Sequence, residues 1–361
     1  MILTQFLGTM STAILFPLLL FGTLIGDPRS NRTPPVNLSA TGLYSDIATK
    51  TIASTNLMFS PQYPLWTDGA KKKRWIYLPA KKSIDAKQVD DWVFPVGTKV
   101  WKEFSFGKRI ETRYLEKTGK KVWTYATYAW NENETDAVLV DETGSPNHVE
   151  IAPGVRHNIP GVIDCKACHE GQGRDVVLGF NALQLSPDRD PNAPHAEQFT
   201  SEMVNLKNLV DQKLLINLPK RFLNNPPVVA ANSPRERTVL GYLSANCGGC
   251  HNSTDPLSTL GMYLKRSVDI TADAAKLELE TVIGHKSKYQ IPELDVDQSY
   301  RILHGDPSRS TMIYRMATRN PYRQMPPLGS KIVDKEAVDL ITKWIQEDLS
   351  NRNGEKQLTH Q

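Results

Sequence analysis

Two copies of one pattern carry the chemistry in this chain: Cys165-Lys166-Ala167-Cys168-His169 and Cys247-Gly248-Gly249-Cys250-His251. Cys-x-x-Cys-His is the attachment signature of c-type haem. Two thiols three positions apart each reach one vinyl group of a porphyrin and close a thioether. The His that follows is then held beneath the ring, where its imidazole ligates iron. Met325, in Gln324-Met325-Pro326-Pro327, lies in a stretch stiffened by the fixed φ of two prolines. A thioether delivered from the opposite side completes a His/Met pair, the ligation that raises the potential of cytochromes c. The pattern predicts two covalently attached haem c groups, held by Cys165, Cys168, Cys247 and Cys250. The predicted iron ligands are His169 for the first haem, and His251 with Met325 for the second.

All four cysteines fall in the two motifs, so none remains for a structural disulfide or a lone nucleophile. Zinc is the main rival. Zinc ribbons place their cysteine pairs about 15–20 residues apart, whereas most of a domain separates Cys168 from Cys247. The immediate His is required by haem and not by zinc. A thioredoxin-like motif accounts for one pair and not two. The sixth ligand of the first haem is open at this level. Met203 is the candidate, against its reading as a core Met at helical spacing; His148 and His195 are weaker ones. His157, eight residues before Cys165, reads as a surface residue or a propionate contact. Met262, Met312 and Met316 compete with Met325 for the second iron. Arg309 reads either as a propionate donor or as a capping residue.

The elements that must position these residues follow in order. Residues 1–26 carry no charged side chain and read as a signal peptide or an N-terminal anchor, which sends the chain across a membrane to a periplasmic or exported location. Residues 27–42 are a linker. Residues 43–150 hold six of the seven tryptophans, at 66, 75, 92, 101, 123 and 130, within short alternating runs joined by Gly-containing turns. That predicts an antiparallel β domain with the aromatics as its core; Trp66, Asp68 and Lys71 are possible site residues. A short helix is expected over 44–57.

Residues 151–230 form the first haem segment, with a helix expected over 199–218. Residues 231–350 form the second. There, Ser233 and Pro234 open a helix running into Cys247, and 334–349 is an amphipathic closing helix. That layout predicts a class I-like cytochrome c domain, and 351–361 is a polar tail. The fold expected is thus α+β and multidomain: an antiparallel β domain followed by a mainly α-helical haem region. A net charge of +4 on 361 residues is too small and dispersed to argue for nucleic acid.

Several stretches resemble a family of exported bacterial dihaem cytochromes c. They include Pro64-Leu65-Trp66-Thr67-Asp68-Gly69-Ala70, Phe94-Pro95-Val96-Gly97-Thr98, Arg109-Ile110-Glu111-Thr112-Arg113, Gly305-Asp306-Pro307 and Met325-Pro326-Pro327-Leu328-Gly329, besides the two motifs. The C-terminal half resembles the cytochrome c region attached to some quinoprotein glucose/sorbosone-type dehydrogenases. No propeller accompanies it here, so the resemblance does not carry sugar oxidation over. It implies electron transfer between a redox partner, a periplasmic dehydrogenase or another cytochrome, and a respiratory acceptor. The alternative is a haem oxidoreductase in which the first iron is open and the β domain shapes a substrate pocket.

Overall fold

The computed structural model describes residues 33–170, 176–254, 256–269 and 279–350. The expected leader or anchor over 1–26 and the polar tail lie outside these residues, as do residues 27–32 of the linker.

Six strands form the central sheet in chain order: β1 (Leu57–Met58), β2 (Lys71–Tyr77), β3 (Lys99–Phe106), β4 (Lys108–Gly119), β5 (Val122–Trp130) and β6 (Ala137–Leu139). Every neighbouring pair is antiparallel. Strand side chains alternate between faces, and both faces here are covered. Trp75, Trp101, Tyr114, Tyr128 and Trp130 point to one side and pack with Leu38, Leu43 and Tyr44. Ile76, Val100, Leu115 and Tyr125 point to the other and pack with Phe59, Phe180, Leu206 and Leu209. Gly107, at φ +80°, makes the tight turn from β3 to β4.

A hairpin, β7 (Ser145–Ala152) and β8 (Val155–Ile159), follows and leads into α1 (Val162–His169). The chain from 176 to 222 then lies back on the sheet. Leu215–Ile216 pairs in parallel with Ile84–Asp85, and Phe180, Leu185, Val204 and Phe222 belong to the same core as the sheet. The first motif is therefore carried by the β layer.

Beyond it, α3 (Pro234–Asn246), α4 (Thr311–Met316) and α5 (Lys335–Lys343) enclose a second core built on Leu243, Ile302, Ile341 and Trp344. Between α1 and α3 lies α2 (Leu206–Asp211). The Ser233 hydroxyl accepts the Glu236 N–H at 3.0 Å and caps α3. The Tyr242 hydroxyl donates to Asp334 at 2.9 Å and fixes α3 to the start of α5.

The expectation of a mainly α-helical, class I-like cytochrome c region is overturned. Among the described residues the molecule is mostly β, and its helices are few and, apart from α3, short. Between His251 and Lys335 the described chain runs through loops and bridges, with α4, two 3-10 turns, Pro256–Leu260 and Pro307–Arg309, and helical residues 279–280. The reason lies in where the backbone groups find partners. The Asp306 carboxylate accepts the N–H groups of Ser308 and Arg309 and caps a single 3-10 turn, Pro307–Arg309. The Ser287 and Ser299 hydroxyls accept those of Tyr289 and Ile291. Short polar side chains that satisfy nearby amides compete with helix formation.

The same competition shortens the helix expected over 199–218 to α2. Asn205 caps it by accepting the Asn208 N–H at 2.9 Å, and Lys213 at φ +58° follows its end. The helix expected over 44–57 is instead a hairpin, Tyr44–Asp46 with Thr51–Ile52. Asp46 accepts the Ala48 N–H at 2.9 Å, and Lys50 turns the chain at φ +59°.

Candidate functional site

The first motif is presented by a turn that leaves no room for a side chain. A Cβ on Gly161 would lie 2.4 Å from the Glu142 carbonyl oxygen. The Gly161 N–H instead donates to Asp164 at 3.0 Å, which starts α1. That helix lies against β5, and the His169 ring stands 6.0 Å from the ring of Tyr125. The Nδ1–H of His169 donates to the Val176 carbonyl at 2.7 Å. Only a protonated nitrogen can bond a carbonyl, so this bond sets the tautomer and leaves the Nε2 lone pair free. Burial is the main reason that the imidazole is pushed down to about 4, with Lys102 and Arg113 acting in the same direction. The ring is neutral at neutral pH.

The second motif follows the end of α3. The Cys247 N–H donates to Leu243 and the His251 N–H to Cys247, both at 2.9 Å, so the motif winds as one further turn. Gly248 is required by packing: a Cβ there would meet the Ser244 carbonyl oxygen at 2.5 Å and the Lys265 Cα at 2.7 Å. Leu264 donates its N–H to the His251 carbonyl at 2.8 Å and holds the following strand of chain against the motif. The Nδ1 atom of His251 is buried and has no hydrogen-bond partner. None of the four cysteines forms a disulfide. Burial raises the Cys165 thiol and pushes that of Cys247 up to about 12, which keeps it a thiol.

Both motifs open on one cavity of about 1020 Å³, although 79 residues separate Cys168 from Cys247. Ligand pockets span about 300–1,000 Å³, so this one lies at the upper end of that range. Met325 is on its wall, as are Met262, Met312 and Met316. Met312 and Met316 belong to the second core and Met262 packs against it, whereas Met325 is half-buried and outside every core cluster. Met325 is the thioether of this wall that no core cluster holds.

Other candidates are placed differently. Met203 lies ahead of α2 in a bridge to Met58 and does not line the cavity among the described residues. His148 contacts Ser145 at 3.1 Å, and His195 contacts Asp334 at 2.9 Å; neither lines the cavity. Arg309 is bound to Gln298 through its Nε and Nη2, away from the wall. His157 is buried, not superficial, and its Nε2 contacts Glu111 at 3.0 Å on the cavity wall. Among the described residues, no group of three or more His, Cys, Asp or Glu forms that could hold a metal ion. The two motifs do not merge there into one four-ligand zinc site.

Comparison with family models, with curated proteins and with solved structures finds no match.

The residues that join the two halves of the wall were only partly visible beforehand. The Asn246 side chain, one residue before Cys247, accepts the Trp66 N–H at 2.7 Å. The Trp66 indole N–H donates to the Ile332 carbonyl at 3.1 Å, and Asp68 accepts the Lys331 and Ile332 N–H groups. Trp66 and Asp68 line the cavity; Lys71 does not. Asn246 gave no signal of its own, since a polar residue at a helix end has many uses.

Proposed function

We propose that this chain is an exported dihaem c-type cytochrome that carries electrons between a redox partner and a respiratory acceptor. The observation that carries this reading is that both Cys-x-x-Cys-His motifs open on a single cavity, together with Met325. The partner is a periplasmic dehydrogenase or another cytochrome, and the cavity is the space that both groups would share.

The residues present fit the cofactor. Cys165 and Cys168 would hold the vinyl edge of one haem, and Cys247 and Cys250 that of the other. His169 would offer Nε2 to iron while Val176 holds the ring, an arrangement that makes the imidazole a stronger donor. The unpartnered Nδ1 of His251 gives the second site no such help, and Met325 would complete its ligation. Each bound haem supplies a one-electron couple. Phe59, Trp92, Phe94 and Phe180 supply an apolar patch of the wall.

The test is a haem count by pyridine haemochrome on protein matured in a cytochrome c-competent host, with a ferrous-minus-ferrous-CO difference spectrum. Two haems per chain and no CO response support the carrier. A count of one or none overturns the dihaem reading. One haem of two binding CO moves the function to catalysis at the first iron. One observation favours that second reading: a row of cations faces the first motif from the sheet.

A further inference from the structure

Across the middle of the sheet, Arg74 of β2 stands directly opposite Lys102 of β3, and Lys102 directly opposite Arg113 of β4. All three line the cavity. Like charges placed directly opposite across strands destabilise a sheet, so a row of three needs a compensating reason. Two carboxylates answer it in part. Glu197 contacts Arg74 Nη1 at 3.0 Å, and Glu111 contacts Arg113 Nη2 at 2.7 Å. Lys102, in the centre, forms no ion pair among the described residues and rests 4.9 Å from the Phe104 ring. Arg74 is only 5 % exposed, yet its Nη2 has no hydrogen-bond partner. Three basic side chains against two carboxylates leave Lys102 without a counter-charge, and burial, then Arg74 and Lys72, push its ammonium well below the ordinary lysine value. Lys72 adds a further basic group two residues before Arg74 on the same face.

We propose that Arg74, Lys102 and Arg113 form a binding site for a small oxyanion within the cavity, beside the first motif. Arg113 spends its Nε and Nη2 on Glu111, so the oxyanion would meet its remaining Nη1 together with the Arg74 Nη2 and the Lys102 amine, donors spread over several acceptor atoms. The vacant Nη2 of Arg74 and the unpaired Lys102 are the donors it would satisfy. Arg113 lies within electrostatic reach of Cys165 and Cys168. The oxyanion is proposed as a separate ligand, a substrate or effector of the first site; a haem propionate held by the same donors is the outcome that would overturn this. This placement rests on the dihaem reading; the oxyanion site itself does not.

The experiment titrates sulfate into the full-length holoprotein by calorimetry at low ionic strength, after the haem count is known. Wild type is expected to bind one sulfate, and Lys102→Met to bind at least tenfold more weakly while retaining both haems. Arg74→Met provides a second variant with the same expectation. Sulfate should also raise the melting temperature of wild type and not that of Lys102→Met. No sulfate binding by wild type, or equal binding by Lys102→Met, overturns the proposal. Loss of a haem from Lys102→Met also overturns it, because the row would then be holding a propionate. A wild-type count below two haems with sulfate still bound would sink the dihaem reading and leave the oxyanion site standing.

Discussion

The Oδ1 atom of Asp68 accepts the backbone N–H of Ile332 at 2.8 Å across 264 residues of sequence. The same oxygen accepts the Lys331 N–H at 2.7 Å, so one carboxylate joins the β layer to the loop that follows Met325. Asp68→Ala leaves both amides without their acceptor. Bonds to charged groups are worth about 1.5–3 kcal/mol each, so the expected loss on denaturant unfolding is about 3–6 kcal/mol. Asp68→Asn, which keeps an acceptor oxygen, should lose less than half as much.

Met325 differs from the other three methionines of the cavity wall in lying outside the core clusters. Met325→Leu is expected to make one haem per chain reactive to carbon monoxide. Met312→Leu and Met316→Leu conserve volume in a packed site, should cost under about 1.5 kcal/mol, and should leave the spectrum unchanged. A CO response in the Met312 or Met316 variant alone would reassign the ligand.

Glu111 is fully buried between Arg113 and His157. Burial alone would raise its carboxyl, but Arg113 and the His157 bond outweigh it and hold it below the usual carboxylate range. A depressed folded-state pKa means that the unfolded chain takes up the proton first as pH falls. The stabilisation is complete above the unfolded value and is lost as pH drops through the folded one. Glu111→Gln strands the Arg113 charge and is expected to cost about 3–5 kcal/mol at neutral pH. Its stability should also fall less steeply than that of wild type below about pH 4, as read from denaturant midpoints.

Lys72, 6 % exposed, is pushed down to about 8, chiefly by burial and then by the nearby Arg74. The sign here is opposite. Between about 8 and the ordinary lysine value the unfolded chain holds the proton and the folded one does not, so this group makes stability rise with pH over that window. At 1.36 kcal/mol per pKa unit, its charge costs the fold on the order of 3 kcal/mol at neutral pH. Lys72→Met should remove that cost. Its melting temperature should exceed that of wild type at pH 7, and the gap should narrow by pH 10.

The two Cys-x-x-Cys-His motifs, Met325 and the strands of the tryptophan-rich region could be read from local pattern, because spacing and period-two alternation are properties of consecutive residues. The Ser233 cap of α3 and the helix running into Cys247 were legible for the same reason. The mainly helical character expected of the second half was not borne out: its described connecting chain satisfies amides locally, as at Ser287 and Ser299, instead of in helices. Met203 appeared as a point on a helical stripe, but Asn205 starts the helix after it and a bridge to Met58 takes it from the cavity. No local pattern could bring Arg74, Lys102 and Arg113 into one row, since strand register is set between distant segments. For the same reason, only the folded chain could bring Cys168 and Cys247 to one cavity or span 264 residues between Asp68 and Ile332. The motifs are local chemistry; their shared cavity and its charge are products of long-range packing.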